Sequence, residues 1–117
     1  MEQTNLFFDF LDTRKKAVEE EVASLAADGR KDESNILKAK ANIYDISKAV
    51  YNAALKSNGE NKIAAAFPPA FEKITSQWSK SLEVAKVHED SHKILIEESK
   101  MAAVSEITKE FNEIFNL

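Results

Sequence analysis

The chain has no cysteine and only two glycines, two prolines and two histidines, and each shortage closes off some chemistry. Without cysteine there is no disulfide, no thiolate metal ligand and no cysteine nucleophile, so a reducing, cytoplasmic setting is the expectation. Two isolated glycines, Gly29 and Gly59, cannot build the glycine-rich loop that cradles phosphates. No run approaches the roughly 18 apolar residues needed to span a bilayer. The first residues, "MEQTNLFFDFLDTRKK", carry neither the basic start nor the apolar stretch of a signal peptide, so none is expected. A basic excess is missing too: 16 Lys and Arg stand against 20 Asp and Glu, and a net charge of −4 offers nothing to nucleic acid or to an anionic membrane. The acidic excess lies wholly after residue 88, where 7 acidic residues face 3 basic ones. That asymmetry reads as a solvated helix face.

What remains is a helical vocabulary. At 117 residues, 44% apolar and 31% charged, the chain is one domain, 1–117, too hydrophobic for disorder. No segment shows the period-two alternation of a strand. Gly29 and Gly59 stand where helix C-terminal caps want a residue at positive φ. A first helix is expected over about 5–28, with Phe7, Leu11, Val18, Val22 and Leu25 inward. A second is expected over about 32–57. Its Ile36, Ala39, Ile43, Ile46, Val50 and Ala53 repeat in threes and fours, and a second row, Leu37, Ala41, Tyr44, Tyr51 and Leu55, runs beside the first. Two apolar rows demand neighbours on two sides, which places this helix centrally. One turn of helix fits 62–66, and the Pro68-Pro69 pair reads as the start of the third helix.

From Pro69 to the last residue there is no glycine or proline. One helix of that length would reach about 70 Å, twice the others, and its distal half would have nothing in its own chain to pack on. Yet Val104, Ile107, Phe111 and Ile114 form an apolar stripe there. Two arrangements bury it. In the first, the chain turns near residues 88–92, giving a four-helix up-down antiparallel bundle in which Phe111, Ile114 and Phe115 reach the end occupied by Phe7, Phe10 and Leu11. In the second, a three-helix chain keeps a very long last helix, completed by a second chain as a swapped homodimer.

The stretch between these alternatives is "KVHEDSHK", residues 86–93. His88-Glu89-Asp90-Ser91-His92 satisfies the H-E-x-x-H pattern of zinc metalloproteases. Two histidines one helical turn apart can ligate zinc together, with the glutamate as general base for the bound water. The surroundings oppose this reading. Asp90 puts a charge in an x position, no strand is available to hold a substrate, and the third ligand would have to come from Glu106, Glu110 or Glu113 on another stretch. Glu89-x-x-His92 also matches half of the di-iron bundle pattern, but the second half is missing. The plainer account is a polar lapse in the core stripe Phe71, Ile74, Trp78, Ser81, Ala85, His88, His92, Leu95, or a turn capped by Asp90 or Ser91.

Other constellations reduce to packing. Tyr44, Lys48 and Tyr51 share one face and read as core-edge tyrosines with a snorkelling lysine. Trp78 reads as a core anchor. The cluster "NLFFDFLD" holds more phenylalanine than one helix face buries, so Phe8 or Phe10 should meet a neighbouring helix or a partner. No serine, histidine and carboxylate set has the spacing of a triad. The sequence therefore reads as an all-α bundle without cofactor. It reads as a small non-catalytic protein that binds another protein or itself, with Phe8, Phe10, Phe111, Ile114 and Phe115 as interface candidates. The alternative is a metal-binding bundle or zinc-dependent hydrolase built on His88, Glu89 and His92.

Overall fold

A computed structural model describes residues 2–117, which form four helices: α1 (Glu2–Ala27), α2 (Lys31–Asn58), α3 (Ile63–Val87) and α4 (Ser91–Ile114). A single 3-10 turn, Glu60–Lys62, leads into α3, and there is no strand among the described residues. The chain takes the first of the two arrangements, an up-down bundle in which α4 folds back along α3. No helix among the described residues is long and apolar enough to cross a membrane.

Three helix ends use the same hydrogen-bonded cap. After α1, Gly29 N–H donates to Ala26 O at 3.1 Å and Arg30 N–H to Leu25 O at 2.9 Å, with Gly29 at φ 77. After α3, Glu89 N–H donates to Lys86 O at 3.1 Å and Asp90 N–H to Ala85 O at 3.0 Å, with Glu89 at φ 54. After α4, Asn116 repeats the pattern at φ 57. This is the Schellman arrangement, which satisfies carbonyls that the helix leaves bare. Glycine suits the left-handed position because it has no Cβ; Glu89 occupies it without that advantage.

The third helix starts earlier than its prolines suggest. It begins at Ile63, so Pro68 and Pro69 lie inside its second turn. A proline there removes a helical hydrogen bond and disfavours helix in the residue before it. Packing overrides both costs: Ile63 and Phe67, one turn apart, are both fully buried. The carbonyls that lose their partners belong to Ala64 and Ala65, and Ala65 is exposed to water.

α2 packs against α1, α3 and α4, as its two apolar rows require. Its buried set is Ser34, Ala41, Ile43, Tyr44, Ser47, Val50, Tyr51 and Ala54, narrower than the two rows read from sequence, with Ala53 exposed. The cross-section is flattened, 45 × 33 × 21 Å overall. α4 packs mainly on α2 and α3, and no residue pair of α1 and α3 comes within 8 Å Cα to Cα among the described residues.

Side chains bridge that gap. Phe7, Tyr51, Phe67 and Phe111, one from each helix, meet at one end of the bundle. Ring centroids lie 5.5 Å apart for Phe7–Phe67, 5.4 Å for Phe7–Phe111, 5.2 Å for Phe7–Tyr51 and 4.7 Å for Phe67–Phe111. Phe67→Ala would leave a cavity shared by all four helices. An equilibrium urea titration should show about 3–5 kcal/mol of lost stability.

Candidate functional site

The histidine motif spans a break between helices. His88 is the residue after α3, Glu89 is left-handed, and Asp90 is the N-cap of α4, its Oδ1 accepting from Lys93 N–H at 3.1 Å. His88 therefore closes one helix while His92 sits in the first turn of the next, and both are exposed. Two ligands one turn apart on one helix, the premise of the zinc pattern, are not present. No group of three or more His, Asp or Glu among the described residues is placed to hold a metal ion. The core stripe of α3 ends at Ala85; Leu95, read as its continuation, is mostly exposed.

The five interface candidates take different positions. Phe111 is only 1% exposed and belongs to the aromatic cluster. Phe115 stacks on it at 4.5 Å. Phe8 meets Tyr51 edge-on at 5.1 Å, and Lys48 Nζ lies 5.0 Å from its ring, held there by Asp12 at 3.2 Å. Phe10 and Ile114 are both partly buried against the core. They share the edge where α1 meets α4, because Gln3 Nε2 donates to Ile114 O at 3.5 Å and Arg14 Nε pairs with Glu106 Oε1 at 2.5 Å further along. The structure thus places Phe10 and Ile114 along the same α1–α4 edge and sets Phe8 against α2. Two residues not singled out from sequence are largely exposed: Leu6, 51%, lies on α1 one turn from Gln3 and Phe10 and flanks this edge, whereas Leu117, 67%, lies with Thr108 and Asn112 on the α3 side of α4.

Two buried polar side chains, Thr4 and Ser34, tie one helix to another. Thr4 Oγ1 donates to Glu60 Oε1 at 2.8 Å, and since a threonine hydroxyl has one proton, Tyr51 OH must donate to Thr4 across 2.6 Å. That chain ties the start of α1, the end of α2 and the 3-10 turn together. Burial pushes the Tyr51 phenol pKa up. Tyr44 is buried with its hydroxyl near Arg14 but without a well-formed hydrogen bond; burial raises its pKa and the nearby Glu106 charge adds to the effect, while Arg14 opposes it. The two tyrosines are thus core residues and not edge residues. Glu97, 6% exposed, lies in the core row of α4 and pairs with Lys100 at 3.2 Å, whose Nζ stands 5.0 Å from the Trp78 ring centroid. Counting back from Phe111, Ile107 and Val104 by threes and fours reaches position 97, a signal the sequence does carry.

The α3–α4 groove offers a cleft of about 190 Å³, floored by Phe67, Phe71 and Phe111 and rimmed by Glu72, Thr75, Thr108 and Asn112. It falls below the roughly 300–1,000 Å³ of ordinary ligand pockets. In none of these places does a nucleophile face a base across an open cavity. Comparison with protein-family models, curated proteins and solved structures finds no match.

The two buried tyrosines make opposite predictions. Tyr51→Phe leaves Thr4 without its donor and should cost roughly 1 kcal/mol, whereas Tyr44→Phe removes an unsatisfied hydroxyl and should be neutral or stabilising. Parallel denaturation of the two variants, read against wild type, checks the contrast.

Proposed function

We propose that this is a small, non-catalytic, cytoplasmic helical protein that mediates protein–protein interaction or self-association. Its contact surface is the α1–α4 edge. The supporting observation is exposed Leu6, in one helical row with Gln3 and partly buried Phe10, along the edge that also holds partly buried Ile114, beside the most lightly packed of the helix pairs that touch. Scattered apolar side chains are normal on a protein surface, but a contiguous group on one edge is what a partner helix needs. Two buried polar groups fit the same reading, since Thr4 bonds to Tyr51 and Ser34 to the Val22 carbonyl, each joining one helix to another.

The test is a photo-activatable residue placed at Leu6, with a control at exposed Lys73, in the cells that make the protein. A discrete adduct from position 6 and none from position 73 is the expected result. An adduct at twice the chain mass identifies self-association; any other mass identifies a partner. No adduct from position 6 in the folded protein overturns the surface assignment. Stoichiometric zinc in tag-free protein that disappears in His92→Ala overturns the non-catalytic reading.

A further inference from the structure

We infer that the chain can exchange α4 with a second copy of itself, the turn at Glu89 opening so that α3 and α4 fuse into one helix over residues 63–114. The inference rests on the self-association branch of the function proposed above and names its mechanism. The turn is the first support. Glu89 holds φ 54, a left-handed conformation that costs a residue with a Cβ free energy which a right-handed helix does not. Residues 86–93 contain neither glycine nor proline, so the segment can continue as helix once the turn is released. What closes the turn is local: the two Schellman bonds and the Asp90 cap on Lys93 N–H.

The phase of the buried faces is the second support. Ten turns of helix take 36 residues. Phe67, Phe71 and Thr75 are buried, and 36 residues on so are Ala103, Ile107 and Phe111. A fused helix therefore keeps the core faces of α3 and α4 on one side. The α1–α2 hairpin is the control. Phe7 with Ile43 and Leu11 with Ser47 show the same spacing and burial, but Gly29 occupies the left-handed position there and holds the turn without strain. Phase permits exchange in both hairpins; the residue at the turn favours it only in the second.

The contacts of the hairpin can also be remade between copies. Trp78 meets Lys100, and Phe67 meets Phe111. The first pair lies 11 residues either side of Glu89 and the second 22. A two-fold axis beside Glu89 restores both in trans, so Phe111 of each copy enters the partner's aromatic cluster. The fused helix would be about 78 Å long, with one bundle at each end of an antiparallel pair.

The absence of cysteine makes the test clean. Spin labels go on K80C and E98C, both exposed and nine residues either side of Glu89. The labelled chain is refolded from denaturant at high concentration with an excess of unlabelled chain, so that only distances within one chain are read. Folded back, the labels sit on adjacent helices with axes about 8–10 Å apart; fused, they lie about 27 Å apart along one helix. A dimer fraction showing the long distance is expected. Glu89→Gly should lower the dimer association constant by about tenfold or more, because it eases the monomer's turn and weakens the fused helix in both copies. A chain that stays monomeric at every concentration overturns the exchange. So does a dimer that keeps the short distance, though that dimer leaves the function proposed above standing. An adduct absent from position 6 alongside the long distance would do the reverse.

Discussion

Everything in this bundle depends on four rings meeting at one end. Phe7, Tyr51, Phe67 and Phe111 come from four different helices, and the first and third helices have no close backbone approach of their own. Rings of this size span the distance that smaller apolar side chains would leave open, and their edge-to-face and tilted contacts add to the burial. The early start of α3 follows from the same cluster. Phe67 must enter it, so the backbone around Phe67 is helical even though two prolines follow directly. Secondary structure here is set by what the side chain has to reach.

The opposite end is built differently. Its inward positions hold Ser34, Ala85 and Glu97, residues that are small or charged. Val84, Val87 and Leu95 around the α3–α4 turn stay mostly exposed. Apolar contact is therefore concentrated at one end and thin at the other, and local opening begins where few apolar contacts resist it. Glu97 can remain buried because Lys100 neutralises it and rests against Trp78. A buried ion pair of this kind adds little net stability, since desolvating both charges offsets most of their attraction. The same length of helix thus holds a firm aromatic end and a loose polar one.

This division explains what could be read from the sequence. The all-α class and the central place of α2 followed from apolar spacing, because spacing records which face is buried, whereas three helices or four remained open. Gly29 marked its turn because left-handed backbone is chemically selective for glycine. The third turn carried no such mark. Glu89 is an ordinary helix former, and the residues around it can continue as helix, so the partnership of Phe111 with Phe67, which one chain or two can make, does not separate folding back from running on. The tyrosines were misjudged for a related reason. Periodicity places a phenol on a face but says nothing of whether a threonine three residues into another helix will accept its proton, as Thr4 does for Tyr51.

The histidine pair shows how a motif can be present in sequence and absent in space. Its chemistry requires an unbroken helix through residues 88–92, and the folded chain breaks helix at 88–90. Asp90 decides the matter locally, because a side chain that caps the next helix competes with the backbone bonds that would continue the last one. If the helix fused by exchange, His88 and His92 would return to one face, one turn apart. The zinc geometry and the folded-back bundle are thus mutually exclusive states of the same eight residues, and the choice between them is made at the turn itself, by left-handed Glu89 and the Asp90 cap, because Phe67 meets Phe111 in either state.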